Sequence, residues 1–421
     1  MPTARPAHDP YAALRIAAFR RYIAGLLTLV LATQVQGVVV AWQVYAVTKD
    51  PLSLGLIGLA EALPFIGFAL WAGHVADRVD RRKLTMGATA VLLLCSAALL
   101  ALSLAPPAPR AHVTLIYAVI FVSGIARSFL NPARTALSTE LVPRELLANS
   151  LTWRSTTWQT AAVGGPALGG VLYAFAGAPL AYALDTLLML VALAAFVRVR
   201  HTPRPRPPTG VSIRRSLLEG IRFVRGTPTL LGAMSLDLFS VLFGGAVALL
   251  PIFANEILRV GPQGLGVLRA APAVGAVAVS LWLAHRPPVR RTGPVLLSVV
   301  AAFGALMIGF GLSRSFALSV GLLVASGAVD MVSVNIRSML LQLLVPEHLL
   351  GRVSSVNQIF IGSSNEMGAF ESGVAAKLLG AAQSVVLGGA LTILVVATTG
   401  WAVPTLRRMG AIPQADDRAA A

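Results

Sequence analysis

The sequence predicts an all-α integral membrane protein with twelve transmembrane helices in two six-helix pseudo-repeats. Three observations support this fold class: the apolar composition, the number of long apolar segments, and the placement of basic residues between them. Of the 421 residues, 56% are hydrophobic and 12% are charged, and the mean hydropathy is +0.76. Soluble domains carry about 25% charged residues, so this composition indicates a chain that lies mostly in a bilayer.

Long apolar segments make up most of the chain. A helix needs about 20 mostly apolar residues to cross the hydrocarbon core of a bilayer, and twelve segments meet this requirement. In the first half of the chain they are 22–47, 53–76, 85–105, 112–136, 148–175 and 178–198. In the second half they are 229–256, 263–284, 293–313, 316–341, 353–379 and 383–405.

Basic residues are unevenly distributed between the two sides that twelve crossings create. One side has both tails and the loops 77–84, 137–147, 199–228, 285–292 and 342–352. Together with the adjoining helix ends, this side holds 26 Lys and Arg residues, whereas the other side holds five. Because cytoplasmic loops are enriched in Lys and Arg, the pattern predicts a multi-pass inner (plasma) membrane protein with cytoplasmic N- and C-termini.

The net charge of +17 has a second interpretation, which is binding to nucleic acid. However, the cations form short clusters between hydrophobic stretches, and they do not form a basic face with interleaved aromatic residues. The sequence therefore argues against a nucleic-acid partner and favours the lipid bilayer. The single cysteine, Cys95, lies in an apolar run, so no internal disulfide can form.

The longest loop divides the chain into three predicted parts. These are an N-terminal six-helix bundle (1–198), a cytoplasmic linker (199–228), and a C-terminal six-helix bundle with its tail (229–421). The linker is first rich in proline and then amphipathic and basic. This composition favours a spacer that ends in a short helix lying on the anionic inner leaflet.

The two halves of the chain show internal similarity. The second span can be aligned with the eighth, and the fourth with the tenth, in the same order along each half. The aligned pairs include Glu61 with Arg269, Pro64 with Pro272, Arg127 with Asp330, and Arg134 with Arg337. Two parallel six-helix repeats joined by a long loop are typical of transporters whose halves rock about a site at the bilayer midplane.

The turn between the second and third spans, "GHVADRVDRRKL" at 73–84, concentrates charge between apolar segments. It resembles the signature G-x-x-x-D-R-x-G-R-R/K of the major facilitator superfamily, and nearly the whole chain resembles the bacterial efflux branch of that family. The matching residues are Gly73, Asp77, Arg78, Arg81 and Arg82, whereas Asp80 replaces the second glycine.

The resemblance implies the major facilitator fold and a cytoplasmic gate at this turn. The gate would include Arg134, at the inner end of the fourth helix and within reach of Asp77. We expect Asp77 to accept hydrogen bonds near the inner start of the eleventh helix, whose N-terminal dipole favours an anion. Such a latch would hold the outward-facing state.

A second motif, "GPALGG" at 165–170, resembles the antiporter element of the family's fifth helix. Its residues are Gly165, Pro166, Gly169 and Gly170. Glycine and proline at these positions allow close approach of a neighbouring helix and bending. The motif therefore has two open interpretations, a role in transport and helix packing alone.

Ionisable residues within apolar spans are functional candidates because they are costly there unless paired or hydrated. The candidates for coupling or cavity charges are Glu61, Arg127, Arg269, Asp330 and Glu366. In the family the fourth and tenth helices line the central cavity, so Arg127 and Asp330 are expected to face each other. The alternative for each charge is a static ion pair that fixes helix register. Asp185 and Asp237 are expected to reach water near helix ends.

The first span contains amide side chains that interrupt its apolar run. These are Gln34, Gln36 and Gln43, of which Gln36 and Gln43 lie two helical turns apart on one face. Their position predicts that they line the cavity.

Sequence motifs for other functions are missing. There is no Walker phosphate loop, no metal-ligand spacing of histidines and no G-x-S-x-G nucleophile elbow. The sequence therefore argues against an enzyme and predicts neither a metal nor a cofactor. A membrane sensor would be supported by a large soluble output domain, which the sequence does not contain.

The leading hypothesis is a monomeric secondary transporter that works by alternating access. It would couple proton entry to export of a small amphipathic compound, either a drug-like molecule or a siderophore. The alternatives within the same fold are a proton-independent facilitator and a lipid-related transporter. Substrate, direction and coupling ion are not fixed by the sequence.

Overall fold

The computed structural model describes residues 9–106, 109–200, 213–285 and 291–410, apart from the side chains of a few helical residues, Asp77 among them. The first membrane helices are α1 (Ala17–Thr48), α2 (Pro51–Arg78), α3 (Arg81–Leu104) and α4 (Pro109–Glu140). Helices α5 and α6 are the two parts of the helical stretch Leu147–Val197. Helix α7 (Pro228–Gly244) continues through irregular helical turns to Ile257. The last five are α8 (Gly261–Ala284), α9 (Thr292–Leu312), α10 (Phe316–Leu344), α11 (Glu347–Leu379) and α12 (Ala381–Ala402).

The boundary between α5 and α6 is set by backbone conformation. Gly177 has φ of +71°, in the left-handed region that glycine enters without steric cost, and Ala176 beside it is also non-helical. Pro179 follows at the first turn of α6, where the missing N–H has no helical partner to lose. The predicted boundary between spans 148–175 and 178–198 therefore falls at the observed break.

Ten helical stretches of the described ranges are long and apolar enough to cross a membrane. One of them, Arg144–Val197, contains both α5 and α6. Helix α11 is 33 residues long but is rich in polar residues, and it is not among the ten. The architecture is thus compatible with twelve crossings, and the predicted all-α membrane fold is confirmed.

Within the first half, α1 packs along the α5–α6 stretch and forms the core of the bundle. Phe19 and Tyr22 of α1 are buried with Phe196 of α6 near one end, and Val35 and Val39 are buried with Tyr182 further along. In the second half, α8 packs against α10, and α9 packs against α12. Such interfaces are held by close van der Waals packing, since lipid tails are as apolar as the side chains.

The most extensive contacts between the halves are those of α2 with α11 and of α5 with α8. We call the end of the bundle that contains the 49–50 and 380 turns the distal end. The opposite end, with the 79–80 turn and the linker helix (Ile213–Gly226), is the linker end. The predicted linker 199–228 lies partly outside the described residues, at 201–212.

The halves are closed together at the distal end. A Cβ placed on Gly55 of α2 would lie 3.1 Å from the Cα of Gly373 in α11. The Asp50 carboxylate pairs with Lys377 at 3.0 Å, and the Tyr45 hydroxyl bonds the Glu256 carboxylate. At the linker end, a Cβ on Gly73 or on Gly351 would meet no atom within 4 Å. The open space beside these two glycines therefore lies opposite the closed end.

Candidate functional site

Four ionisable side chains from four helices meet where the two halves join, and we call them the central charge cluster. They are Glu61 of α2, Arg127 of α4, Arg269 of α8 and Glu366 of α11. Arg127 donates to Glu61 with 2.9 Å between Nη1 and Oε1. In the cluster, charges from both halves meet away from the helix ends.

Close packing of α2 and α4 places Arg127 beside Glu61. A Cβ on Gly124 would lie 2.6 Å from Cγ of Pro64 and 3.3 Å from the carbonyl oxygen of Glu61, so only glycine permits this approach. Arg127 lies three residues after Gly124, on the same helix face. The Ser128 hydroxyl donates to the Pro64 carbonyl at 3.3 Å and adds a polar contact between the two helices.

The approach of α2 to α11 brings the second carboxyl group into the cluster. A Cβ on Gly58 would lie 2.9 Å from the carbonyl oxygen of Glu366. The Glu366 side chain lies within electrostatic range of Glu61. A hydrogen bond between two carboxyl groups requires a proton on one of them, because an ionised carboxylate only accepts.

Arg269 links the cluster to α1 across the interface between the halves. Its Nη1 donates to the carbonyl oxygen of Gly37 at 2.9 Å. A Cβ on Gly37 would lie 2.9 Å from Nη2, so the absence of a side chain there admits the guanidinium. Glu61 and Glu366 both lie within electrostatic range of Arg269. One guanidinium of the second half thus interacts with one carboxyl group from each half.

A buried polar network extends from the cluster into the first half. The Gln36 amide oxygen accepts from Arg127 Nη2 at 3.5 Å. The Gln36 Nε2 donates to Asp185 Oδ2 at 3.2 Å and to Ser96 Oγ at 3.3 Å. Asp185 is 0% exposed, so the expectation that it reaches water near a helix end is wrong. It lies one turn beyond Tyr182 on a face of α6 that packs on α1, a contact that the sequence pattern does not reveal.

The predicted cavity residues of α1 have different surroundings. Gln36 is buried, and Gln43 accepts a hydrogen bond from the Tyr182 hydroxyl at 2.8 Å. The two share one face, as expected, but that face packs against α6 because Tyr182 and Asp185 lie on it. Gln34 is half-buried and packs against Gly165 of α5. In this structure the amides of Gln36 and Gln43 therefore bond within the first half.

Asp330 lies apart from the cluster. Its closest described ion-pair partner is Arg337 of the same helix, with 3.8 Å between Nη2 and Oδ1. Arg337 also pairs with Asp237 of α7. Arg127 and Asp330, which were expected to face each other, thus have separate partners, because Glu61 lies next to Arg127 on the adjacent helix of its own half.

The "GPALGG" motif contacts two different helices. Gly165 and Gly169 face α1. A Cβ on Gly165 would lie 3.2 Å from the carbonyl oxygen of Leu31, and a Cβ on Gly169 would lie 3.1 Å from that of Val35. Gly170 faces the other half, where a Cβ would lie 2.9 Å from the Cα of Gly266 in α8. The Pro166 carbonyl oxygen closes the same contact from α5. The motif therefore packs α5 on its own bundle and on the other half at once.

The charged turn at the linker end forms bonds within the first half. Arg81 pairs with Glu140 of α4 at 2.7 Å, and Arg82 donates to the Val197 carbonyl oxygen. Asp80 accepts from the backbone N–H groups of Arg82 and Lys83 at 2.8 and 3.3 Å, so it caps the N-terminus of α3. This cap explains how the turn accommodates aspartate in place of glycine.

The other predicted gate residues are placed less completely. Gly73 and the exposed Arg78 lie in the last turns of α2. The Arg134 carbonyl oxygen accepts from the Tyr22 hydroxyl at 3.0 Å. The backbone of Asp77 is helical, but its side chain lies outside the described part of the chain. Among the described residues, no three His, Cys, Asp or Glu side chains gather as a metal site.

Solved structures of transporters share this fold. A D-xylose–proton symporter superposes with a TM-score of 0.71 at 13% identity, covering 95% of this chain and 100% of its own. A bacterial homologue of the human lysosomal transporter Spinster, in an inward-facing and occupied conformation, gives a TM-score of 0.69 at 15% identity. That match covers 97% of this chain and 100% of the homologue. At these identities the similarity establishes the fold alone.

The sequence decides the family. The model of the transmembrane secretion effector family matches residues 8–418. The chain belongs to the major facilitator superfamily. The predicted family membership is thereby confirmed, and the superfamily protein described here is a multi-pass membrane transporter and not an enzyme.

Curated relatives of this superfamily member are exporters. The enterobactin exporter EntS of Escherichia coli O1:K1 is 28% identical over 343 residues, which is 80% of each chain. The enterobactin exporter EntS of Shigella flexneri is 27% identical over 341 residues, again 80% of each. The similarity therefore extends over most of both chains.

Proposed function

We propose that the protein exports a small amphipathic compound, of drug-like or siderophore type, in exchange for protons. The observation that carries this proposal is the central charge cluster, in which carboxyl groups from both halves approach each other. Glu61 and Glu366 lie within electrostatic range of each other, and a proton bound to one of them would allow a hydrogen bond across the interface that must open and close. The relatives that export enterobactin support the direction and the siderophore class.

The exchange takes place at the two carboxyl groups. With a proton between them, Glu61 and Glu366 attract each other across the halves. When the proton leaves to water, the O–H bond breaks and both carboxylates are negative, so they repel each other and are held only by Arg127 and Arg269. A hydrogen-bond donor or cation on the substrate can then occupy the space between them. Proton and substrate thus compete for the same oxygens.

In the proposed alternating access, the two ends of the bundle close in turn. The present state is closed at the distal end by the Asp50–Lys377 pair and by the α2–α11 and α5–α8 glycine contacts. The proposed opposite state is closed at the linker end by the charged turn, with Asp77 accepting from α11 and with Arg78, Arg81, Arg82 and Arg134 around it. The "GPALGG" glycines would provide the surface on which α5 moves against α8.

The proposal also assigns roles to the two bundles, the linker and the termini. The bundles 1–198 and 229–421 move as two bodies joined by the linker 199–228, and one chain suffices for transport. The linker end and both termini are cytoplasmic, in the inner membrane of the bacterial cell, because the basic loops lie at that end. Because the linker end faces the cytoplasm in this proposal, the open space beside Gly73 and Gly351 also faces the cytoplasm.

Uptake by inside-out membrane vesicles tests the proposal. The vesicles are given an acidic interior, and enterobactin and a fluorescent amphipathic dye are the probes. The proposal expects accumulation of at least one probe that depends on the pH gradient and stops when a protonophore collapses it. Vesicles without the protein are the control.

Other results of the same assay separate the alternatives. Equal uptake with and without the gradient would show a proton-independent facilitator. Uptake of neither probe, together with movement of a labelled phospholipid between leaflets, would show a lipid-related transporter.

A further inference from the structure

Asp185 is a buried carboxyl group that belongs neither to the central charge cluster nor to the predicted gate. It lies in α6, is 0% exposed, and its Oδ1 has no hydrogen-bond partner. The other oxygen accepts a hydrogen bond from the neutral amide of Gln36 at 3.2 Å. No described salt bridge includes Asp185. A fully buried carboxylate without a bonded cation is costly, and buried polar atoms without partners are rare in native proteins.

The described groups around Asp185 come from α1, α3, α4 and α6 itself. Helix α1 contributes Gln36, and α3 contributes the Ser96 hydroxyl and the thiol of Cys95. Helix α4 contributes Arg127, which lies within electrostatic range but bonds Glu61. Tyr182 of α6 itself is also near, and its hydroxyl donates to Gln43. Arg127, the cation within electrostatic range of Asp185, is therefore already engaged by another carboxylate.

We propose that Asp185, with Gln36 and Ser96, forms a second proton-binding site next to the central charge cluster. The proton comes from water and forms an O–H bond at Oδ1, which changes the charge of Asp185 from −1 to 0. This neutral form suits a pocket whose hydrogen-bonded groups are an amide and a hydroxyl. Loss of the proton to water restores the carboxylate.

The site communicates with the cluster through Gln36 and Arg127. Gln36 bonds Asp185 with its nitrogen, and its oxygen accepts from Arg127. When Asp185 is ionised, it attracts the Arg127 guanidinium and competes with Glu61 for it. When Asp185 is protonated, Arg127 remains with Glu61. Proton loading at Asp185 thus sets how freely Glu61 exchanges its partners.

As a part of coupling, this inference rests on the proposed function, but its proton binding is measurable without substrate. Purified protein in lipid is titrated while infrared difference spectra record the C=O stretch of protonated carboxyl groups. We expect Asp185→Asn to remove one such band from the wild-type spectrum. The matched control is Glu371→Gln, a half-buried membrane carboxyl on α11, which should leave that band in place.

A second variant keeps the test decisive if Asp185→Asn does not fold. Asp185→Glu retains a carboxyl group at a shifted position and should move the same band. An unchanged band in either folded variant would overturn the inference. If wild-type vesicles show no proton-driven uptake while the band is lost in Asp185→Asn, the proposed function fails and the proton site stands. If uptake is proton-driven and the band persists, the proton site fails alone.

Discussion

Arg269 of the second half donates a hydrogen bond to the backbone carbonyl oxygen of Gly37 in the first half, at 2.9 Å. The contact exists because Gly37 has no side chain, and the guanidinium lies within electrostatic range of both Glu61 and Glu366. A single cation is thus bonded to one half while it belongs to the other. The proposed movement of one half against the other would therefore break this bond.

Gly37→Ala tests this relationship without removing a charge. The added Cβ would lie 2.9 Å from Arg269 Nη2, so the flexible end of the arginine must move. We expect transport to fall by about tenfold, which corresponds to roughly 1.4 kcal/mol, with little change in folding. Gly67→Ala is the matched control, because its Cβ meets no atom within 4 Å. Equal activity of the two variants would contradict the role of the contact.

Breaking the Glu61–Arg127 pair should reduce both stability and transport. Loss of one partner from a buried pair costs about 3–5 kcal/mol. The two side chains are 21% and 26% exposed, so we expect roughly 2–3 kcal/mol from Glu61→Gln, measured by thermal unfolding in detergent. The exchanged pair Glu61→Arg with Arg127→Glu should recover part of the stability. If the single variant unfolds like the wild type, the pair contributes little.

The α5–α8 contact should control the balance between open and closed distal ends. In Gly170→Ala the Cβ would lie 2.9 Å from the Cα of Gly266, and a backbone atom cannot give way cheaply. Overpacking of this kind costs about 1–3 kcal/mol, here borne by the distal-closed state. Spin labels at the exposed residues Val47 and Leu378 should report a longer distance in this variant, in a Cys95→Ala background. Gly164→Ala, whose nearest atom is 3.7 Å away, should not lengthen it.

Asp80 should matter for α3 through its cap. Asp80→Ala removes the acceptor for two backbone N–H groups and should cost about 1 kcal/mol, whereas Asp80→Asn keeps an acceptor and should cost less. Thermal unfolding of the two variants measures the difference. Equal losses in both variants would show that the charge matters at this position and the cap does not.

The sequence predicts the helices of this molecule well, but it does not predict how the charged side chains are arranged. Long apolar runs predict the helices, and Gly177 with Pro179 marks the break between α5 and α6, because these signals are local. Ionisable residues inside apolar spans are rare, so Glu61, Arg127, Arg269 and Glu366 can be selected from the sequence as candidates. Their mutual arrangement depends on helix rotation and on which glycines allow close approach, which no local pattern contains.

Three charged residues show this limit. Arg127 and Asp330 occupy repeat-related positions, and the family arrangement suggests that they face each other. In the structure, Gly124 allows α4 to lie so near to α2 that Arg127 bonds Glu61, whereas Asp330 pairs with Arg337. Asp185 was expected to reach water near a helix end, but it lies well inside α6. Its burial follows from the packing of α6 on Gln36, a contact between residues distant in sequence.

The central claim is that proton and substrate compete at Glu61 and Glu366. It is tested most directly by adding enterobactin to detergent-purified protein in weakly buffered solution and following a pH indicator dye. The account predicts that wild-type protein and the control Glu371→Gln release protons as enterobactin binds, whereas Glu366→Gln binds it with little proton release. Binding by the wild-type protein without any proton release would contradict the account.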